Sequence, residues 1–255
     1  MNKLKGKSLC IFSSKGGVGK TTTALNIAGV FSALEKKVLI IDFDVTGGGI
    51  GTYLNKSSDK TIYNFLDDYT NKRFSSINNY IINYNEYISF ISAPKDPRQG
   101  SRITPNCVEF VLEKTLYDYD YIIIDTNHIF NELNVEIMDK CDLTLLILTN
   151  DLLDLKNTRN TVKVFNDAKK DNFKVLLNLS TNPYKIYYSL YEIKSAIRHN
   201  VDYLINSSFF IKTFDNYVTD GQILTLDKKM PKYYPEVYKA YKSICLELME
   251  DADEK

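Results

Sequence analysis

The sequence has no net charge, no long apolar run and no paired cysteines, and each absence removes a class of protein. Its 32 basic and 32 acidic residues cancel, so no global field draws the chain to DNA or to anionic lipid, and any such contact must come from a local patch. No stretch approaches the length of a membrane-spanning helix, and the opening Met1-Asn2-Lys3-Leu4-Lys5-Gly6-Lys7 lacks the apolar segment of a signal peptide. A cytoplasmic location is the expectation. Cys10, Cys107, Cys141 and Cys245 are scattered and form no C-x-x-C pair, the pattern of reduced thiols rather than of a disulfide frame or a zinc site. At 255 residues the chain can build a large core, and one domain over residues 1–255 is the simpler reading.

What the sequence does contain is a glycine-rich turn in a telling place. The apolar run Leu9-Cys10-Ile11-Phe12 reads as a buried strand and Ala24-Leu25-Asn26-Ile27-Ala28 as part of a helix; between them lies Ser13-Ser14-Lys15-Gly16-Gly17-Val18-Gly19-Lys20-Thr21-Thr22-Thr23. Gly16, Gly17 and Gly19 let the backbone approach a ligand and leave successive N–H groups free to surround a polyphosphate at the start of the helix. Lys20 would supply charge to the β- and γ-phosphates, and the Thr21 hydroxyl would coordinate Mg²⁺. The chain is therefore expected to bind a nucleoside triphosphate, with Gly16, Gly17, Val18, Gly19, Lys20, Thr21 and Thr22 around it.

Five apolar runs, Leu9–Phe12, Val38–Asp42, Tyr121–Asp125, Leu143–Thr149 and Lys174–Leu179, recur with amphipathic stretches between them, and Ile88–Ile91 is a sixth. This pattern predicts an α/β fold, a mostly parallel sheet with helices on both faces and ligands beyond the carboxyl ends of the strands. Two acidic motifs fall at such ends. In Asp42-Phe43-Asp44 the alternation of a strand puts both carboxylates on one side, near a triphosphate on the neighbouring strand. Asp125 terminates a buried strand, loses solvation there, and needs a cation such as hydrated Mg²⁺.

An ordinary phosphate loop has no fixed lysine at its head, and Lys15 stands there. From Lys15 to Thr22 the sequence matches K-G-G-x-G-K-[ST]-[ST] and resembles the deviant Walker A family of ParA and MinD ATPases; Asp120-Tyr121-Ile122-Ile123-Ile124-Asp125-Thr126 resembles that family's D-x-[IV]-[IV]-[IV]-D-[TS]. The resemblance implies a homodimer with ATP at the interface, in which Lys15 reaches the nucleotide of the other subunit. It assigns water positioning to Asp44, Mg²⁺ to Thr21, Asp42 and Asp125, and the adenine to Asn178, whose amide can donate and accept at once. Lys15, Lys20 and Asp44 are then the catalytic candidates. Val45-Thr46 stands where DNA-partition members carry Pro-Gln, and the following Gly47-Gly48-Gly49 looks closer to the branch that positions pili, flagella or division machinery and includes TadZ/CpaE.

Three departures stand beside the resemblance. Asn127-His128-Ile129 replaces the usual Pro-Pro or Pro-Ala-Gly and removes the flexible glycine of switch II; Phe209–Asp215 with Gly221-Gln222-Ile223-Leu224 lacks two expected prolines; and residues 125–132 hold no cysteine, unlike the iron–sulfur relatives. His128 reads as a surface or interface residue. The acidic end Glu247–Glu254 is opposite to MinD's basic membrane-binding tail, so no direct membrane anchor is expected. Lys156, Arg159, Lys163, Lys169 and Lys170 read as a solvated helix face in preference to a DNA-contacting stripe. The implied function is an ATP-dependent dimerising switch, hydrolysing slowly and stimulated by an activating or cargo protein, that positions a pilus, flagellum, division site or DNA cargo. The alternatives are a nucleotide-holding interaction protein and a bacterial tyrosine kinase, the latter prompted by Tyr233, Tyr234, Tyr238 and Tyr241.

Overall fold

The computed structural model describes residues 5–182, 184, 186–210 and 214–253. Among these, eight strands form one sheet: β1 (Lys7–Phe12), β2 (Val38–Phe43), β3 (Ile82–Asn83), β4 (Ile88–Ile91), β5 (Tyr121–Thr126), β6 (Leu143–Leu148), β7 (Phe173–Asn178) and β8 (Tyr203–Ile205). Their order is β3-β4-β2-β5-β1-β6-β7-β8, and every pairing is parallel except β3 with β4. The expected α/β sheet is present with all six anticipated strands. The edge strands β3 and β8 are additions, too short to show a period in the sequence.

The helices are α1 (Lys20–Ala33), α2 (Ile50–Tyr53), α3 (Ile62–Thr70), α4 (Pro97–Gly100), α5 (Cys107–Thr115), α6 (Glu132–Lys140), α7 (Leu152–Asp167), α8 (Leu190–Ile197), α9 (Phe214–Thr219), α10 (Met230–Tyr233) and α11 (Pro235–Asp253). Strand alternation sends Ile122 and Ile124 of β5 into a core with α3, α5, α6, α7 and α8, while Tyr121 and Ile123 join Ile27, Val30 and Phe31 of α1 and Val237, Tyr241 and Ile244 of α11. Each fully buried aliphatic side chain contributes about 1.5–3 kcal/mol of transfer free energy. α1 is buried almost all round because α11 covers the side the sheet does not. All four cysteines are free.

That alternation decides where the acids go. Asp125 follows Tyr121 and Ile123 on the α1 face, Asp42 follows Val38 and Ile40 on the same face, and the β2–β5 register sets the two side by side. The helix after β6, α7, begins at Leu152. Its cap is Asp151, which accepts from the N–H groups of Leu153 and Asp154, so Asp154 sits inside the first turn, buried, accepting from the Thr149 N–H and hydroxyl.

Candidate functional site

The loop between β1 and α1 turns with Gly17 at φ 72° and Gly19 at φ 95°, values that side-chain-bearing residues rarely adopt. Gly19 caps α1 without a side chain, and the first turn holds no acidic residue. The leading amides of α1 therefore point to a cleft with no internal anion to satisfy them, which is an anion site. Lys20 is buried, and desolvation lowers its pKa against the pull of Asp125 and Asp44. The Thr21 hydroxyl donates to Asp125 Oδ2 at 2.6 Å.

Asp125 Oδ1 is buried without a hydrogen-bond partner. Burial pushes the Asp125 carboxyl up to about 7, only partly opposed by Thr21 and Lys20. A divalent cation against that oxygen would restore the charged form, so the residues present fit Mg²⁺. Among the described residues no group of three or more His, Cys, Asp or Glu could hold a metal alone, as expected for an ion that shares its shell with water and phosphate oxygens.

The two acids of the D-x-D motif divide. Asp44 lines the cleft, its Oδ1 accepting from the Thr46 hydroxyl and the Gly47 N–H at 3.0 Å. Asp42 is buried behind it and accepts from the Asp44 and Ile50 N–H groups at 3.1 Å each. Burial beside Asp125 drives the Asp42 carboxyl well above the usual range. The glycine run has a packing reason: a Cβ on Gly48 would lie 2.3 Å from the Ala93 Cβ.

The cleft encloses about 440 Å³, inside the range of small-molecule sites. At one end Gly16 meets His128, and at the other Gly19 meets Asn178 and Thr181. Beyond Asn178 the wall is Ser180, Phe209, Phe210 and Tyr241. Sequence reasoning missed these wall residues: aromatics scattered over distant segments carry no spacing, and Ile211, Lys212 and Thr213 of the expected closing segment lie outside the described residues. Asn178, the residue expected at the adenine, lines the cleft and is already hydrogen-bonded. Its Nδ2 donates to the Val18 carbonyl at 2.9 Å and its Oδ1 accepts from the Ser180 N–H and hydroxyl, so the acceptor meant for a purine edge is already taken. Lys15 forms an ion pair with Asp151 at 3.2 Å within its own chain. Arg98 is held by Asp96 and Arg102 reaches the Tyr63 hydroxyl; neither lines the cleft.

Comparison with known proteins gives this geometry a lineage. The AAA domain family matches residues 6–178, from β1 through the last residue of β7. A chromosome partitioning protein ParA of Myxococcus xanthus is 25% identical over 218 residues, covering 82% of this chain and 74% of that protein. The chain belongs to the ParA/MinD family. The fold agrees with that membership. A ParA family ATPase from Chlorobium tepidum superposes with a TM-score of 0.78 at 18% identity, over 94% of this chain and 98% of the other. The septum site-determining protein MinD of Pyrococcus horikoshii, solved with Mg-ADP, gives 0.75 at 18% identity over 95% and 96%. Members of the ParA/MinD family are ATPases.

Proposed function

We propose that this chain is an ATP-driven switch that dimerises around its nucleotide, hydrolyses it, and in doing so positions or assembles a larger cellular structure. The observation that carries the reading is the Thr21–Asp125 pair beneath the uncapped amides of α1, with one buried lysine inside the loop and a second at its head. Lys20 and the amides bind the phosphates. Asp44, free on the cleft side and fixed by Thr46 and Gly47, orients the attacking water and accepts its proton. Mg²⁺, held by Thr21 and Asp125 with Asp42 behind them, would neutralise charge developing on the β- and γ-phosphate oxygens. Lys15 leaves Asp151 for the nucleotide of the partner subunit.

The ParA and MinD relatives act on chromosomes and septa by name, and this chain is read as serving a cargo of that kind through a partner protein. Within the Gly47–Gly49 run, packing against Ala93 requires a glycine at Gly48. No helix among the described residues is long and apolar enough to cross a membrane. Of the tyrosines that prompted a kinase reading, Tyr241 is buried in α11 and Tyr234 packs its ring on Phe209.

Light scattering with Mg-ATP tests the switch. Wild type is expected to become dimeric and Lys15→Ala to stay monomeric while still binding ATP; a variant that dimerises as well as the parent would remove Lys15 from the interface. A second reading, a nucleotide-holding protein with little turnover, is favoured by the tethered segment after Asp125. Asp44→Ala separates the two: phosphate release falling about a hundredfold or more supports hydrolysis through Asp44, and an unchanged rate supports the holding role.

A further inference from the structure

The segment after β5, one of the departures from the family pattern, is tied down rather than loose. Asn127 is buried, and its Oδ1 accepts from the Ile129 N–H at 3.0 Å and from Asn134 Nδ2 at 2.7 Å. Asn134, wholly buried on α6, also donates from Nδ2 to the Ile129 carbonyl at 2.7 Å. Asn131 caps α6 by accepting from the Asn134 N–H at 2.9 Å. Phe130 sets its ring edge against Phe12, centroids 6.0 Å apart. Asn134 gives both amide hydrogens to this segment and leaves its own oxygen buried without a partner, so the brace serves the loop rather than the helix.

The one side chain the brace turns outward next to the phosphate loop is His128. Its backbone lies between two tethered residues, its ring is exposed, and a Cβ on Gly16 would sit 3.7 Å from its Nδ1. It lines the same cleft as Lys20, Thr21 and Asp44, at the end away from Asn178 and the aromatic wall. A ligand whose base lies toward that wall brings its last phosphate toward His128.

We propose that His128 is a phosphate-contacting residue that donates to the terminal phosphate of the bound triphosphate. The Asn127–Asn131–Asn134 brace acts as its positioning element, so that a pre-set imidazole senses the γ-phosphate where relatives move a glycine-containing loop. This rests on the nucleotide reading of the cleft. Other charged groups stand near the same cleft: Lys20 from α1 and Asp44 beyond β2 line it, Asp125 on β5 lies behind Thr21, and Lys15 pairs with Asp151 beside Gly16. The informative quantity is therefore the difference between wild type and His128 variants.

Calorimetric titration of the full chain with a non-hydrolysable Mg-ATP analogue and with Mg-ADP measures it. A hydrogen bond from the imidazole to the terminal phosphate should make the wild type bind the analogue about tenfold more tightly than His128→Ala. ADP affinity should be the same in both proteins. His128→Gln, which keeps a donor, should recover part of the analogue affinity. Asn134→Ala should lower analogue affinity with ADP affinity retained. Equal analogue affinities for wild type and His128→Ala, or an equal loss for ADP and analogue, would overturn the assignment while leaving the phosphate loop intact. Failure of folded wild type to bind either nucleotide would instead overturn the nucleotide reading itself.

Discussion

At its phosphate end the cleft is lined by residues close in sequence, Gly16, Gly17, Gly19, Lys20, Thr21 and Thr22, with Asp44 delivered from the end of β2 and Asp125 buried behind Thr21. At its far end it is made by Asn178, Ser180, Phe209, Phe210 and Tyr241, drawn from β7, the region after β8, and α11. The difference follows from what each end must do. Surrounding a polyanion takes consecutive backbone amides, which only one contiguous turn can offer, and so it leaves a motif. Holding a flat apolar ring takes aromatic area from any direction, and many combinations of distant residues supply it.

The largest expected effect breaks the phosphate end. Lys20→Ala should reduce ATP turnover by at least about a hundredfold, as for removal of a donor aimed at transition-state charge. Phosphate release measures it, with an unchanged far-ultraviolet spectrum as the check on folding.

Next is Asp125, whose cost to the fold should appear as a pH dependence. Its folded pKa of about 7 lies above the ordinary 3.8. Between those values the folded state keeps a proton that the unfolded chain has lost, so stability from this group declines as pH rises and is lowest above 7. Nucleotide-free Asp125→Asn should therefore be more stable than wild type at pH 8, by on the order of 2 kcal/mol, with the advantage vanishing toward pH 4. Urea unfolding at the two pH values reads the difference, and excess Mg²⁺ with nucleotide should shrink it at pH 8. An advantage equal at both pH values would refute the buried charge as its source.

The smallest effect probes the aromatic end. Phe210→Ala should weaken ATP and ADP by the same factor, roughly five- to tenfold, the range of one lost base–aromatic stack. Equal loss for the two nucleotides would sharpen the contrast between the ends. A loss confined to ATP would show that the aromatic wall senses phosphate and that the division drawn here is misplaced.

Much of this was legible before any coordinates. The runs Leu9–Phe12, Val38–Asp42 and Tyr121–Asp125 became β1, β2 and β5 within a residue or two, because doubly covered parallel strands must be continuously apolar. Edge strands β3 and β8, only two and three residues long, carry no such signal. Asp151 and Asp154 look alike in sequence, and only the fold shows that Asp151 caps α7 while Asp154 is buried against Thr149. Asn178 was placed at the correct strand end, but its neighbours Val18 and Ser180 had already taken its oxygen and one amide hydrogen.

By itself the sequence determined the covalently local chemistry: a glycine turn that can expose amides, a lysine and a threonine at fixed offsets within it, and carboxylates terminating apolar strands. These depend on spacing along one chain, which folding preserves. Tertiary structure decided everything that depends on who stands next to whom: that Asp42 is shielded while Asp44 is open, that Asn134 on α6 braces Asn127, and that His128 faces Gly16. Those relations come from strand register and helix packing, in which residues far apart in the chain compete for the same few hydrogen-bonding positions.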